Sequence, residues 1–299
     1  MRPDDLRLRF SRVSFSRALR SGVALAAGLC LCGARTTAAP IPHGTLELIA
    51  ENQWIETGRW ANLGLRFQLE KGWHIYWINP GDSGEPPRVK WQLPQGLTTG
   101  DIKWPAPEHL GTTTIVDFGY QDAVTLIVPM RADASLAAQA SAQIAAEVKV
   151  LVCREMCIPG KAQLSVTLPI KSQQPAPDSR TESLFAAARK SLPRPAPGSW
   201  KFSVIEDKDS FSLKANVGRQ VTQAVFYPLV ESQVSNSAPQ KLTPAAGGFQ
   251  LTLQKSEQLL KPLERLKGVL VLDGQQPYAI DAPVSKRAAA ADGDKKNDS

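Results

Sequence analysis

The sequence Ala146-Glu-Val-Lys-Val-Leu-Val-Cys-Arg-Glu-Met-Cys-Ile-Pro-Gly160 contains the end of one alternating strand, a pair of cysteines and the start of the next strand. Apolar and polar residues alternate before Cys153 and again in Leu164-Ser-Val-Thr-Leu168, and a period of two predicts β-strands with one buried face. The same pattern recurs in three earlier runs: Leu46–Ala50, Leu63–Leu69 and Val124–Val128. The sequence therefore predicts an antiparallel β-sandwich over residues 41–170.

After Pro169 the sequence changes character. Lys171–Asp178 is polar and rich in proline, which predicts a linker, and Ser183–Lys190 favours a short helix. Five more strand-like runs follow: Lys201–Ile205, Ser210–Lys214, Gln223–Tyr227, Phe249–Leu253 and Gly268–Leu272. We therefore predict an all-β protein with two immunoglobulin-like β-sandwiches joined by a linker with a short helix. The remaining predicted boundaries are 171–197 for the linker, 198–284 for the second sandwich and 285–299 for a disordered tail.

Composition and charge exclude several classes of protein. With 299 residues, 42% of them hydrophobic, and 4 Cys, the chain is neither collagen-like nor a disulfide-dense miniprotein nor mostly disordered. Residues 1–38 hold seven Arg against two Asp and so carry +5 of the formal net charge of +7. Because the basicity is concentrated in this one segment, we expect no nucleic-acid partner.

The basic N-terminus has the layout of a secretory signal peptide. The apolar run Val23–Gly33 is shorter than the roughly 20 residues needed to span a bilayer, and small residues follow up to Ala39. We predict that residues 1–38 are removed, that the protein is periplasmic and that it is not inserted in the membrane afterwards. Cys30 and Cys32 would be lost with the leader.

The remaining cysteines, Cys153 and Cys157, are separated by three residues. In a continuous strand their Cα atoms would lie roughly 13 Å apart, whereas a disulfide needs about 4.4 to 6.8 Å. The pair can therefore close only if Arg154-Glu-Met156 forms a turn, and Pro159-Gly160 supports a break there. A disulfide that closes so short a loop stabilises little through chain entropy, which favours a reactive role over a structural one. Both roles stay open from the residues alone.

Three classes of function remain for this sequence. The first is a redox-active dithiol, and the second is a non-catalytic binding module whose disulfide is structural. The third is a copper-binding or copper-stress protein, because the sulfurs of Cys153, Met156 and Cys157 suit Cu(I), with a further ligand from one of the three histidines, His43, His74 or His109. The sequence lacks the motifs G-x-S-x-G, H-E-x-x-H and G-x-G-x-x-G and the phosphate-binding loop.

Five motifs, in order along the chain, resemble the N-terminal periplasmic domain of DsbD-type thiol:disulfide interchange proteins, in the ScsB-like branch. They are Lys71–Gly84, Trp91–Gly96, Trp104–Pro107, Phe118–Tyr120 and Cys153–Pro159. The resemblance spans about residues 45 to 170, and the later block resembles the second sandwich of the same branch through Asn236–Pro239 and Pro262–Leu272.

The resemblance implies an immunoglobulin-like domain whose cysteine pair cycles between dithiol and disulfide as a thiol-disulfide oxidoreductase component. It also implies a membrane-embedded electron donor of DsbD type and thioredoxin-like periplasmic acceptors, with Cys157 as the attacking thiol and Cys153 as the resolving one. Full-length members continue into membrane and thioredoxin-like domains, so we expect that either a separately encoded membrane protein is the donor or the scaffold has another role here. We expect no cofactor and no bound metal.

The family also covers its cysteines with a flexible loop that carries an aromatic residue. In this chain that loop corresponds to about Trp104–Tyr120. The resemblance therefore proposes Phe118 and Tyr120 as an active-site shield, with Glu108 and His109 as proton-handling neighbours.

Overall fold

The structure is a computed structural model that describes residues 35–36, 38–111 and 114–286. The predicted signal peptide and the predicted disordered tail lie almost wholly outside these ranges, as do Cys30 and Cys32, and both stay predictions.

The described residues up to Lys171 form two packed sheets. Their strands are β1 (Arg35–Thr36), β2 (Ala38–Ile41), β3 (Gly44–Ala50), β4 (Ile55–Glu56), β5 (Trp60–Leu69), β6 (His74–Gly81), β7 (Arg88–Gln92), β8 (Leu97–Thr99), β9 (Glu108–Gly111), β10 (Val116–Gln121), β11 (Ala123–Ala132), β12 (Ser141–Cys153) and β13 (Cys157–Lys171). The sheet that carries the cysteines, the cysteine sheet, has the order β1-β13-β12-β6-β10-β9, with β4 beside β13 and β7 beside β12. The opposing sheet has the order β2-β3-β5-β11-β8, and a 3₁₀-helix spans Ala134–Ala138.

The alternation of the sequence explains how the sheets pack. In β12 every second side chain from Ala142 to Val152 is buried, and on β13 the alternate residues from Ala162 to Leu168 are buried opposite them. These side chains meet Leu65 and Phe67 of the opposing sheet in one core. A one-residue slip would turn all of them to the other face, so burial fixes the register that brings the cysteines opposite each other.

The predicted short helix is α1 (Glu182–Ser191). This helix packs against the first sandwich. Its residues Phe185 and Ala188 contact Ile49 and Ile127 on the outer face of the opposing sheet. The Thr181 hydroxyl donates to the carbonyl oxygen of Ala50 at 2.7 Å and joins the start of the helix to that sheet.

The second half of the described chain encloses its own core. Its strands are β14 (Arg194–Pro195), β15 (Lys201–Glu206), β16 (Ser210–Asn216), β17 (Ala224–Pro228), β18 (Lys241–Ala245), β19 (Gly248–Gln254), β20 (Arg265–Leu272) and β21 (Pro277–Lys286). Their order is β17-β20-β21-β15-β16-β19-β18, with β14 beside β21. Residues 277–283 of β21 pair with β20 and residues 284–286 pair with β15, so this one strand connects the two sides of the second sandwich. The predicted all-β architecture with one short helix is confirmed.

The two sandwiches share a buried joint. Tyr227 of β17 packs into the first core, with ring centroids 6.4 Å from Trp77 and 5.5 Å from Phe118. Beside it, the buried side-chain amide of Asn79 donates to the carbonyl oxygen of Pro228 at 2.8 Å. Because Trp77 and Asn79 belong to β6, the second sandwich supports the strand that lies next to the cysteines.

Candidate redox site

The cysteines close the β12–β13 hairpin. The two strands pair without interruption from Ser141 opposite Pro169 to Cys153 opposite Cys157, where the Cα atoms lie 4.2 Å apart and the sulfurs form a disulfide. Three residues make the turn, and within it the backbone N–H of Arg154 donates to the carbonyl oxygen of Met156 at 3.2 Å. The predicted turn is confirmed, because directly opposed residues of an antiparallel pair approach closely enough for a disulfide.

The two sulfurs differ in access to solvent. Cys153 is 2% exposed, whereas Cys157 is an exposed residue and its neighbour Met156 is 67% exposed. Thiol–disulfide exchange begins when a thiolate reaches one sulfur of the disulfide, so access selects the sulfur that is attacked. The hairpin therefore presents Cys157 to an incoming thiolate and keeps Cys153 behind it.

Tyr76 contacts the exposed cysteine. Its hydroxyl oxygen lies 3.2 Å from Cys157 Sγ, and because a disulfide sulfur carries no hydrogen, the phenol is the donor. The ring is held by Gly84, where an added Cβ would lie 2.1 Å from the Tyr76 ring. Burial raises the pKa of Tyr76 and outweighs a hydrogen bond with Ser83 that lowers it, and the nearby Asp117 carboxylate also raises it. The phenol therefore keeps its proton and remains a hydrogen-bond donor to sulfur.

His74 lies beside the buried cysteine. It is directly opposite Cys153 in the pairing of β6 with β12, it is 6% exposed, and its ring meets the Tyr76 ring edge-on at 5.3 Å. Burial lowers the pKa of His74, and Asp117 opposes that shift. The sequence indicates His74 only as one of three histidines for copper, and it does not single out Tyr76.

An aromatic and cationic stack supports the tip of the hairpin. The Arg154 guanidinium lies 5.2 Å from the centre of the Trp73 ring. The His43 ring also stacks on Trp73, with the two ring centroids 3.6 Å apart. His43 Nδ1 in turn lies 2.8 Å from a carboxylate oxygen of Glu70. Cation–π contacts of this kind hold Arg154 and so restrain the turn between the cysteines.

The predicted shield residues occupy other places. Phe118 and Tyr120 are buried in the core with Ile75, on the side of β6 opposite to His74 and Tyr76, and the Tyr120 hydroxyl donates to the carbonyl oxygen of Pro105 at 2.8 Å. The structure does not bring these two rings to the disulfide, because they fill the space between the sheets.

The proposed proton-handling neighbours lie on β9, at the edge of the cysteine sheet. Glu108 pairs with Gly119 and His109 pairs with Phe118, and the His109 ring packs 4.9 Å from Tyr227 in the joint. Residues 112–113 of the predicted covering loop lie outside the described ranges. The role of this segment in covering the cysteines stays a prediction. The aromatic residue that contacts Cys157 in the described structure is Tyr76, through its hydroxyl group.

The structure gives no support to a ready-made metal centre. Within residues 35–36, 38–111 and 114–286, no group of three or more His, Cys, Asp or Glu side chains is placed to hold an ion. In the disulfide form the sulfurs of Cys153 and Cys157 are bonded covalently to each other. Of the three histidines considered for copper, His43 stacks on Trp73 and only His74 pairs with a cysteine.

Comparison with known proteins agrees with this geometry. Residues 47–169 match the family described as thiol:disulfide interchange protein DsbD, N-terminal. The fold resembles the N-terminal periplasmic domain of ScsB from Proteus mirabilis, with a TM-score of 0.62 and 17% identity over 83% of this chain and 98% of that one. Residues 47–169 are therefore similar to a DsbD-type N-terminal domain, as the sequence motifs predict.

Two other comparisons add nothing to the assignment. A structural match to domains 5–6 of the S-layer protein SbsC covers 85% of this chain and 100% of the SbsC chain, but its TM-score is 0.22 and its identity 11%. No curated protein sequence matches the chain significantly.

Among the described helices, none has the length and apolar character required to cross a membrane.

Proposed function

We propose that the protein is a periplasmic thiol-disulfide exchange module that relays electrons through Cys153 and Cys157. The observation that carries the proposal is the unequal burial of the two cysteine residues, with Cys157 exposed at the hairpin tip and Cys153 2% exposed behind it. A structural disulfide gains from having both sulfurs buried, whereas a relay needs one sulfur that a partner can reach. The family of the domain supports the same chemistry.

The proposed cycle has two exchange steps in each direction. A thiolate of the electron donor attacks Cys157 Sγ, the bond between the two cysteines breaks, and Cys153 leaves as a thiolate. The second donor thiol then releases Cys157, so that the donor becomes a disulfide and the pair a dithiol. With an oxidised acceptor, Cys157 attacks and Cys153 resolves the mixed disulfide. We propose a membrane-embedded donor of DsbD type and thioredoxin-like acceptors.

A redox titration tests the proposal. The protein is equilibrated in glutathione buffers of stepped potential, the thiols are trapped with an alkylating agent, and the added mass gives the fraction of the pair that is reduced. We expect a midpoint of about −180 to −270 mV, the range of exchangeable pairs. A midpoint well below about −300 mV would mark a structural disulfide and would favour the binding-module alternative.

Tyr76→Phe should make Cys157 a weaker nucleophile. The phenol donates to Cys157 Sγ, and a hydrogen bond to a charged group is worth about 1.5–3 kcal/mol, so the thiolate loses that stabilisation in the variant. We expect the thiolate fraction at neutral pH to fall about tenfold or more, since 1.4 kcal/mol is a factor of ten. The measurement is the alkylation rate of Cys157 against pH in a Cys153→Ser background.

Tyr120→Phe is the matched control for this variant. It also removes a buried phenol that donates a hydrogen bond, but its acceptor is the carbonyl oxygen of Pro105. The control should leave the alkylation profile of Cys157 unchanged. Equal profiles for Tyr76→Phe and the control would contradict the assigned role of Tyr76.

A further inference from the structure

We propose that His74 is the proton acceptor for Cys153 when Cys153 resolves a mixed disulfide on Cys157. The inference rests on the exchange function proposed above and adds a residue to it. Cys153 is buried, and a buried thiol resists ionisation because its thiolate is poorly solvated. Since the thiolate is the nucleophile in exchange, the resolving step requires a base next to Cys153.

The strand register places His74 at that position. It is the residue directly opposite Cys153, and side chains of such a pair project from the same face with Cβ atoms about 4.5–5.5 Å apart. Across the hairpin, Cys153 is in turn directly opposite Cys157. His74, Cys153 and Cys157 therefore form one row across three neighbouring strands, with His74 in the position beside the resolving cysteine.

An unpaired nitrogen supports the same assignment. His74 is 6% exposed, and its buried Nε2 has no hydrogen-bond partner among the described residues. A buried polar atom without a partner is costly, so each instance requires an explanation. In the disulfide form the sulfur of Cys153 carries no hydrogen and can donate nothing. When the disulfide opens, Cys153 gains a proton and becomes the donor that Nε2 lacks.

The surroundings suit a neutral base that becomes charged during the reaction. The groups that face His74 are Tyr76 on its own strand, Gln121 directly across on β10, Asp117 also on β10, and Cys153 on β12. Burial keeps the imidazole neutral before transfer, and the Asp117 carboxylate attracts the imidazolium formed by it. Asp117 is itself buried and accepts hydrogen bonds from the backbone and hydroxyl of Ser83 at 3.0 and 2.9 Å.

The proton and the electrons balance in one step. With a partner sulfur bound to Cys157, the Cys153 thiol gives its proton to His74 Nε2 and its sulfur attacks Cys157 Sγ. The bond between Cys153 and Cys157 forms, the bond between Cys157 and the partner breaks, and the partner leaves with the electron pair as a thiolate. The imidazolium then returns its proton to solvent. In the opposite direction the same nitrogen protonates Cys153 as it leaves.

The resolving step can be observed without a physiological partner. Reduced protein with Cys30 and Cys32 changed to serine is mixed with one equivalent of dithiobis(nitrobenzoate). The first thionitrobenzoate is released when Cys157 becomes a mixed disulfide, and the second is released when Cys153 attacks it. We expect His74→Gln to slow the second release about a hundredfold at pH 7, the usual contribution of a positioned base. Its rate should then rise about tenfold per pH unit up to the pKa of the thiol.

The control variant and the wild-type profile make the test decisive. His43→Gln removes another histidine near the hairpin, one that stacks on Trp73, and should leave the second release unchanged. A free thiol would lose rate below its pKa of about 8.5, but the wild-type rate should hold steady there. It should fall only at a pH below the ordinary imidazole pKa of about 6.5, because burial lowers the pKa of His74. Equal profiles for His74→Gln and wild type, or a wild-type rate that follows a free thiol, would overturn the proposal. A wild type that never releases the second thionitrobenzoate would overturn the exchange function itself.

Discussion

Cys157→Ser should form a mixed disulfide with glutathione disulfide about tenfold or more slowly than Cys153→Ser, which should form one and keep it. The cause is the difference in access, because Cys157 is exposed and Cys153 is 2% exposed. Exposing the buried Cys153 side chain costs about 0.8 kcal/mol for its methylene and roughly as much again for its sulfur, which slows attack from Cys153 by about tenfold. A raised pKa of the buried thiol slows it further.

Each variant is made with Cys30 and Cys32 also changed to serine, then reduced and incubated with glutathione disulfide. Mass spectrometry gives the number of glutathiones bound. The Cys153→Ser protein should carry one glutathione that persists, since no resolving thiol remains. Met156→Leu is the control from the same turn: it keeps both cysteines and the apolar character of residue 156, and should close its disulfide at the wild-type rate. Comparable adducts at comparable rates on both single-cysteine variants would contradict the division of roles between the two sulfurs.

Met156→Leu also separates exchange from copper binding. The thioether of Met156 is 67% exposed and makes no contribution to the proposed exchange steps. A Cu(I) site built from Cys153, Met156 and Cys157 would lose a soft ligand in this variant. A loss of exchange rate in Met156→Leu would therefore contradict the proposal that the two cysteines alone carry the exchange.

Local patterns are enough to predict the first sandwich and the hairpin at its centre. The alternation of β12 and β13 fixes which side chains face the core, and the distance that a disulfide allows forces Arg154–Met156 into a turn. Both arguments use neighbours in sequence, so they need no knowledge of the rest of the fold. The unequal exposure of Cys153 and Cys157 cannot be derived in this way, since the covering residues come from other strands.

The residues around the sulfurs depend on contacts that are distant in sequence. His74 and Tyr76 occupy the face of β6 that alternation assigns to the outside, away from Ile75 and Trp77 in the core. They are buried because the chain returns over that face, and Gly84 lets it pack against the Tyr76 ring. The motif Lys71–Gly84 contains both ends of this contact, but the sequence shows no sign that they meet.

The sequence predicts the second sandwich as a separate unit and does not predict its contact with the first. Tyr227 lies in an ordinary alternating strand, and only the fold reveals that its ring enters the first core beside Trp77 and Phe118. A second contact joins the two sandwiches, because Asn236, between β17 and β18, donates to the carboxylate of Asp82 at 2.8 Å. Since Asp82 follows β6 directly, both contacts act on the strand that carries His74 and Tyr76.

Tyr227→Ala should therefore uncouple the two sandwiches. Removing a buried aromatic ring from a core costs about 3–5 kcal/mol, through lost burial and the cavity left behind. In this variant the cavity would open in the joint, between Trp77 and Phe118 on one side and the second sandwich on the other. We expect wild-type protein to unfold in one transition in urea and the variant to unfold in two, the first at lower urea concentration, as measured by circular dichroism and tryptophan fluorescence together.

Tyr278→Ala provides the comparison that isolates the joint. Tyr278 is also a tyrosine of the second sandwich, but its ring packs 4.6 Å from Trp200 and makes no described ring contact with the first core. The loss of this ring should weaken the second sandwich alone and leave the reactivity of Cys157 unchanged, whereas Tyr227→Ala should also speed reduction of the disulfide by dithiothreitol, because β6 is released. If both variants lose the same stability and neither changes the rate of reduction, the second sandwich does not support the redox site.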